Sequence, residues 1–256
     1  MPAFWENIRF PGVREMDELS GAQGQDMATY VSHPAPSEGS NFPAVIVVME
    51  AFGVTRHIEQ VCDEYARHGY VAVAPSLYHR QHPNAKLGYD QMPQVQQYMG
   101  ALNDEELIED INVTIDYLQN RYQRTRGRKI GIVGYCVGGR ITYLAATSCP
   151  GLSAASVYYG GRILVPFGDG PAPIERTSGS TVPVMGNFGE DDANPTPADV
   201  AQIEEALKAA GVTYDFKMYS GAGHGFNCNE RPDYREDAAA DALARTLGWF
   251  DQYVKS

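Results

Sequence analysis

Short apolar runs alternate with longer stretches of helical periodicity along this chain. Residues 44–49 form an unbroken apolar run, which is typical of a strand covered on both faces. In the stretch that follows, Ile58, Cys62 and Tyr65 recur at helical spacing. They predict a helix over residues 56–68. The same alternation of strand and helix continues to the end of the chain.

The repeated strand–helix–strand order predicts an α/β fold with a doubly wound, mostly parallel sheet and helices on both faces. We expect a single domain over residues 1–256, with residues 1–42 forming an extension or hairpin packed on the core. The remaining predicted strands are 70–74 (stopped by Pro75), 129–133, 155–159, 182–188 and 213–218. The other predicted helices are 104–123, 140–147, 197–210 and 235–254. Residues 79–103 are predicted to be loop-rich and to contain a short helix.

Composition narrows the classes of partner. The chain has 32 acidic and 20 basic residues, for a net charge of −12, which argues against nucleic acid and anionic membranes as partners. No apolar run approaches the roughly 18 residues of a membrane-spanning helix, and no signal peptide is visible. We therefore expect a cytoplasmic monomer or homodimer that acts on a small molecule. The four cysteines form no C-x-x-C pair, and we expect neither a metal site nor a cofactor.

Cys136 lies in Gly-Tyr-Cys-Val-Gly-Gly, between a predicted strand and a predicted helix. This G-x-nucleophile-x-G pattern is typical of a sharp turn that presents a reactive side chain. At a helix N-terminus the dipole favours a thiolate, and the N–H of Val137 could stabilise an oxyanion. The alternative is a tight turn that carries a buried structural cysteine.

A base and an acid follow two later strands. His224 lies in a run of small residues directly after the sixth predicted strand, whereas the other five histidines lie in helical or surface contexts. Asp192 follows the fifth strand in a Gly-x-x-Asp turn that precedes a proline, and Glu190 and Asp191 are interpreted as turn and surface residues. The order Cys136, Asp192, His224 is that of the α/β-hydrolase fold.

The first core strand runs into Met-Glu-Ala-Phe-Gly-Val. Ala51 is the best placed donor of a second oxyanion N–H. Glu50 beside it is predicted to lie near Cys136 and to influence the protonation of the thiol. The alternative for Glu50 is an ordinary helix-capping or ion-paired carboxylate.

These segments together resemble the dienelactone hydrolase (carboxymethylenebutenolidase) family. The resemblance rests on 50–54, 74–78, 134–139, 158–160 and 221–226, and it covers residues 43–253. It implies a Cys136–His224–Asp192 triad that attacks esters or lactones through a thioester, with the oxyanion on the N–H groups of Ala51 and Val137. It also implies that Glu50 helps to activate a thiol that rests neutral and turned away.

The sequence restricts the identity of the substrate less than it restricts the fold or the triad. Phe52, Tyr135 and Phe226 are candidate pocket residues. Cys228 stands where the resemblance implies a substrate-binding arginine, so we expect an ester less charged than dienelactone. Two arginines, Arg162 and Arg231, are candidate replacements, each with a structural ion pair as the alternative. General carboxylesterase or thioesterase activity, and a non-catalytic homologue that binds a small molecule, stay open as alternatives.

Overall fold

The strands of the chain form one continuous sheet. The computed structural model describes residues 1–9, 26–35 and 39–256. Within those residues the strands are β1 (Ala3–Arg9), β2 (Asp26–Ser32), β3 (Ala44–Val48), β4 (Val71–Pro75), β5 (Ile130–Tyr135), β6 (Leu152–Tyr158), β7 (Val184–Gly189) and β8 (Tyr214–Tyr219). Their order across the sheet is β1-β2-β4-β3-β5-β6-β7-β8. Neighbours from β4 to β8 pair in parallel, whereas β2 pairs antiparallel with both β1 and β4.

Helices connect the parallel strands. Every side chain of β3, β4 and β5 is buried. Because successive side chains of a strand point to opposite faces, both faces of the central sheet are covered. The α-helices of the described residues are α1 (Arg56–Arg67), α2 (Met92–Gly100), α3 (Asp104–Asp116), α4 (Val137–Ser148), α5 (Pro197–Ala209) and α6 (Glu236–Tyr253).

The predicted order of strands and α-helices is confirmed. The differences lie at element ends and in a 3-10 helix over Pro173–Gly179, which the sequence pattern did not predict. Helix α4 begins at Val137 rather than Arg140, so Cys136 stands directly at its N-terminus. Helix α3 ends at Asp116, and a π-helical turn continues over Tyr117–Arg121, where the N–H of Tyr122 donates to the carbonyl of Tyr117. The predicted hairpin is an antiparallel pair of β1 and β2, and its connection lies outside the described residues.

A buried ion pair ties α4 to α3 and to the segment after β6. The Arg140 guanidinium donates to both carboxylate oxygens of Asp104, at 2.6 and 2.9 Å, and both side chains are almost completely buried. It also donates to the carbonyls of Arg162 and Val165, at 3.0 and 2.7 Å. The N–H of Phe167 donates to Asp104. The Arg140–Asp104 pair therefore holds residues 162–167, which follow β6, in place.

Ligands of open α/β sheets bind beyond the carboxyl ends of the strands. Glu50 follows β3, Cys136 follows β5, Asp192 follows β7, and His224 follows β8. All four residues therefore lie at the same edge of the sheet. None of the helices in the described part of the chain has the length and apolar character needed to cross a lipid bilayer.

Candidate active site

Cys136 occupies a strained turn between β5 and α4. Its backbone has φ 59° and ψ −122°, and a positive φ is uncommon for a residue with a side chain. The thiol is partly exposed, whereas the residues on either side of it are buried. Strain of this kind persists only where the surrounding structure enforces it, and here it presents the sulfur above the sheet edge.

Two glycines allow this turn to form. A Cβ at Gly138 would clash with the carbonyl oxygens of Val48 and Met49, so the N-terminus of α4 packs directly on the end of β3. A Cβ at Gly134 would clash with the carbonyl of Gly138. These close approaches explain the glycines of the motif. They also bring the first turn of α4 to the segment that holds Glu50 and Ala51.

The two predicted oxyanion donors lie on these adjoining segments. Val137 is the first residue of α4, and an N–H in the first turn of a helix has no acceptor within that helix. Ala51 is buried just beyond β3, and its carbonyl accepts a 3.0 Å hydrogen bond from the hydroxyl of Tyr78. The Tyr78 bond therefore holds the peptide that directly follows the one carrying the Ala51 N–H.

His224 is hydrogen-bonded to Asp192. The imidazole Nδ1 lies 2.9 Å from Asp192 Oδ2, and the other carboxylate oxygen accepts from the N–H of Asn194 at 2.8 Å. Asp192 is buried, whereas Glu190 and Asp191 are exposed, so the geometry favours the same carboxylate as the sequence pattern. The N–H of Asp191 donates to the carbonyl of Ala222, which joins the two loops.

Cys136 and His224 interact through charge and hydrogen bonding. Burial alone would lower the pKa of His224, but the sulfur of Cys136 and the carboxylate of Asp192 raise it from 6.5 to about 10. The arrangement therefore favours the protonated form of the His224 imidazole at neutral pH.

Glu50 is fully buried and lies among polar groups on the same side of the site. Its Oε1 atom is 3.5 Å from the Tyr159 hydroxyl and 4.0 Å from Nη1 of Arg231. Burial raises the pKa of Tyr159, and negative charge at Glu50, Cys228 and Cys136 raises it further. Tyr159 thus contacts Glu50 through its hydroxyl, and its ring centroid is 5.2 Å from that of His224.

The three predicted pocket residues are all buried, and Phe52 is the most exposed of them at 7%. The ring of Phe52 stacks edge-on against Tyr89, with centroids 4.6 Å apart, in the segment next to Ala51. Tyr135 and Phe226 are only 2% and 0% exposed and pack among other buried aromatic rings. Their burial favours a supporting role beneath Cys136 and His224 rather than direct contact with a ligand.

The two candidate arginines are already engaged. Arg231 lies 4.0 Å from Glu50 and 3.7 Å from Asp233, so it has the ion-pair contacts that were its alternative interpretation. Arg162 is exposed and has φ 63°, and its guanidinium lies 5.1 Å from the ring centroid of Phe167. Arg231 therefore has carboxylate partners, whereas the guanidinium of Arg162 lies near an aromatic ring.

Sequence reasoning missed three residues of this region. His57 and Cys228 are buried and lie close to Glu50, and Tyr159 connects Glu50 to the triad residues. Tyr159 belongs to the Tyr-Tyr-Gly segment noted in the sequence and has a positive φ of 37°. His57 and Cys228 carry no motif of their own, because each is a single polar residue in a different segment.

Comparison with known proteins identifies the family to which the chain is similar. The profile of the Dienelactone hydrolase family matches residues 27–254. A protein of Methylorubrum extorquens, named as an inferred carboxymethylenebutenolidase, is 36% identical over 85% of this chain and 75% of its own length. A protein of the same name from Salmonella typhimurium is 35% identical, over 91% of this chain and 85% of its own.

A solved structure gives the same picture. The crystal structure of a dienelactone hydrolase, so named by inference, from Klebsiella pneumoniae superposes with a TM-score of 0.83 at 31% identity. The superposition covers 99% of this chain and 100% of the other.

Proposed function

Because the chain belongs to the dienelactone hydrolase family and is a hydrolase of carboxylic esters or lactones, we propose that it cleaves them with Cys136 as nucleophile. In this proposal His224 is the general base and acid, and Asp192 orients it. The observation that carries the proposal is the 2.9 Å contact of His224 with Asp192, beside a thiol held on a strained turn.

The proposed reaction has two halves. The Cys136 thiolate attacks the carbonyl carbon, and the resulting oxyanion is stabilised by the N–H groups of Ala51 and Val137. The tetrahedral intermediate collapses to a thioester, and His224 gives its proton to the departing alkoxide. Water, deprotonated by His224, then hydrolyses the thioester and returns the enzyme with a free carboxylic acid product.

The chemistry of the thioester favours activated substrates. A thiolate is a good leaving group, so an intermediate formed from a simple alkyl ester tends to revert to substrate. Enol lactones and phenyl esters have leaving groups that depart more easily than the thiolate. We therefore expect efficient turnover of activated esters and enol lactones, and very little of amides.

The charges around the site favour an uncharged acyl group. Arg231 is paired with Glu50 and Asp233, and Cys228 stands where a second cation was expected. A matched pair of substrates tests this: p-nitrophenyl butyrate should exceed mono-p-nitrophenyl succinate by about tenfold or more in kcat/KM, because the second carries a carboxylate. Faster turnover of the succinate ester would contradict the expected preference.

The enzymatic assignment is tested by p-nitrophenyl acetate turnover in wild type, Cys136→Ala and Cys149→Ala. Removing the nucleophile should lower kcat by roughly 10³-fold or more, whereas Cys149 is a buried cysteine on the far end of α4 and serves as the matched control. Full activity in Cys136→Ala would exclude the cysteine mechanism. Turnover of linear esters but not of lactones would indicate a general carboxylesterase. Tight binding of these compounds without turnover would indicate a non-catalytic homologue.

A further inference from the structure

Three potential metal ligands converge beside the proposed triad. Glu50 follows β3, His57 belongs to α1, and Cys228 lies in the loop after His224. One ligand atom of each residue lies within 4.8 Å of the ligand atoms of the other two, and all three residues are buried. Their segments are far apart in the sequence, so the fold alone brings them together.

Two of these residues have polar atoms that no other described residue satisfies. Oε2 of Glu50 and Nε2 of His57 are buried and have no hydrogen-bond partner within the described ranges. Buried polar atoms are nearly always paired with protein, water or an ion, because an unpaired one loses its hydration without compensation. Two such atoms in one cluster indicate that a ligand of the protein completes it.

We propose that Glu50, His57 and Cys228 form a binding site for a divalent cation of the zinc type. Carboxylate oxygen, imidazole nitrogen and thiolate sulfur are the donors that Zn²⁺ takes in proteins, and it binds four of them tetrahedrally. The fourth position is open to water or to the hydroxyl of Tyr89, which lies 3.2 Å from the sulfur of Cys228.

The charges of Glu50 and of a deprotonated Cys228 are suited to binding a divalent cation. A bound Zn²⁺ would displace the thiol proton to solvent, so that one thiolate and one carboxylate balance its two charges. The Arg231 guanidinium is the opposing charge, 4.0 Å from Glu50, and Asp233 offers it a second partner at 3.7 Å.

Metal binding at this site would affect the proposed triad through the contacts of Glu50. The Glu50 carboxylate contacts Tyr159, whose ring lies against His224, and pairs with Arg231. A metal ion that takes this carboxylate as a ligand would compete with both contacts. The site therefore offers a route by which metal availability changes the hydrolytic activity.

Metal titration of the full chain tests the site directly. The Cys136→Ser background is used because Cys136 and His224 are themselves a thiol and an imidazole that could bind the same ion. In that background we expect one equivalent of Co²⁺ to give a thiolate-to-cobalt charge-transfer band, and Zn²⁺ to displace it. Adding Cys228→Ser should abolish the band, and His57→Gln should weaken Zn²⁺ binding by about tenfold or more.

Cys149→Ser in the same background is the control, since it removes a buried cysteine outside the cluster and should leave the titration unchanged. Circular dichroism checks that each variant is folded. If Cys228→Ser does not fold, the Zn²⁺ affinity of His57→Gln decides the test. The proposal is overturned if the Cys136→Ser protein binds no Zn²⁺, or if neither cluster variant weakens the binding.

Discussion

His224 directs its Nδ1 atom at Oδ2 of Asp192 across 2.9 Å, while the other oxygen of that carboxylate is held by the N–H of Asn194. The N–H on Nδ1 donates to the carboxylate, which fixes the orientation of the ring. The opposite nitrogen is then available to exchange a proton with Cys136. The catalytic proposal depends on this orientation more than on any other single contact.

Replacing Asp192 by asparagine should therefore impair catalysis with little effect on substrate binding. The asparagine side chain can offer its N–H₂ group to Nδ1, which stabilises the wrong tautomer of His224. We expect kcat for p-nitrophenyl acetate to fall by roughly 10³- to 10⁴-fold, with KM nearly unchanged. Asp191→Asn, an exposed change in the same turn, is the control. Equal losses in the two variants would show that Asp192 has no special role.

The titration of His224 should depend on Cys136. With the sulfur and Asp192 in place, the pKa of His224 is raised from 6.5 to about 10, so the imidazole stays protonated through neutral pH and loses its proton near pH 10. In Cys136→Ala the sulfur is absent, and we expect a clearly lower pKa. The NMR shift of the ring Cε1 proton measures both values. A wild-type value near 6.5, or one that the substitution leaves unchanged, would contradict the influence of Cys136 on the His224 pKa.

The buried pair of Arg140 and Asp104 should make a large difference to stability when only one partner is removed. Arg140→Leu leaves the Asp104 carboxylate buried without its partner, so we expect a loss of about 3–5 kcal/mol in the free energy of unfolding in urea. The double replacement by leucine should recover much of this loss. As a control, Glu105→Gln breaks the more exposed contact with Arg176 and should cost about 0–1 kcal/mol. A loss of less than about 1 kcal/mol in Arg140→Leu would refute this account.

The sequence predicts the positions of the triad residues because a simple rule governs them. Parallel strands end at one edge of the sheet, so Cys136, Asp192 and His224 must approach one another if each directly follows a strand. The glycines around Cys136 also specify the turn locally, since their missing side chains permit the contact with β3. Neither inference needs knowledge of side-chain packing.

Other parts of the site could not be predicted in this way. The pairing of Glu50 with Arg231 and its closeness to His57 and Cys228 depend on how loops fold over the sheet edge. Apolar patterning specifies strands and helices but not the path of a loop. It also could not distinguish Phe226 as a buried ring from a ring that lines the pocket, because both are aromatic residues beside His224.

The most direct test of the central claim is to trap the acyl-enzyme. The enzyme is mixed with excess p-nitrophenyl acetate, quenched in acid during the first turnovers, digested with trypsin and analysed by mass spectrometry. The tryptic peptide of residues 130–140 contains Cys136 as its only cysteine. The account predicts an added acetyl mass on Cys136 in that peptide, and none in Cys136→Ala. Acetylation of a different residue as the competent intermediate, with unmodified Cys136 during turnover, would contradict it.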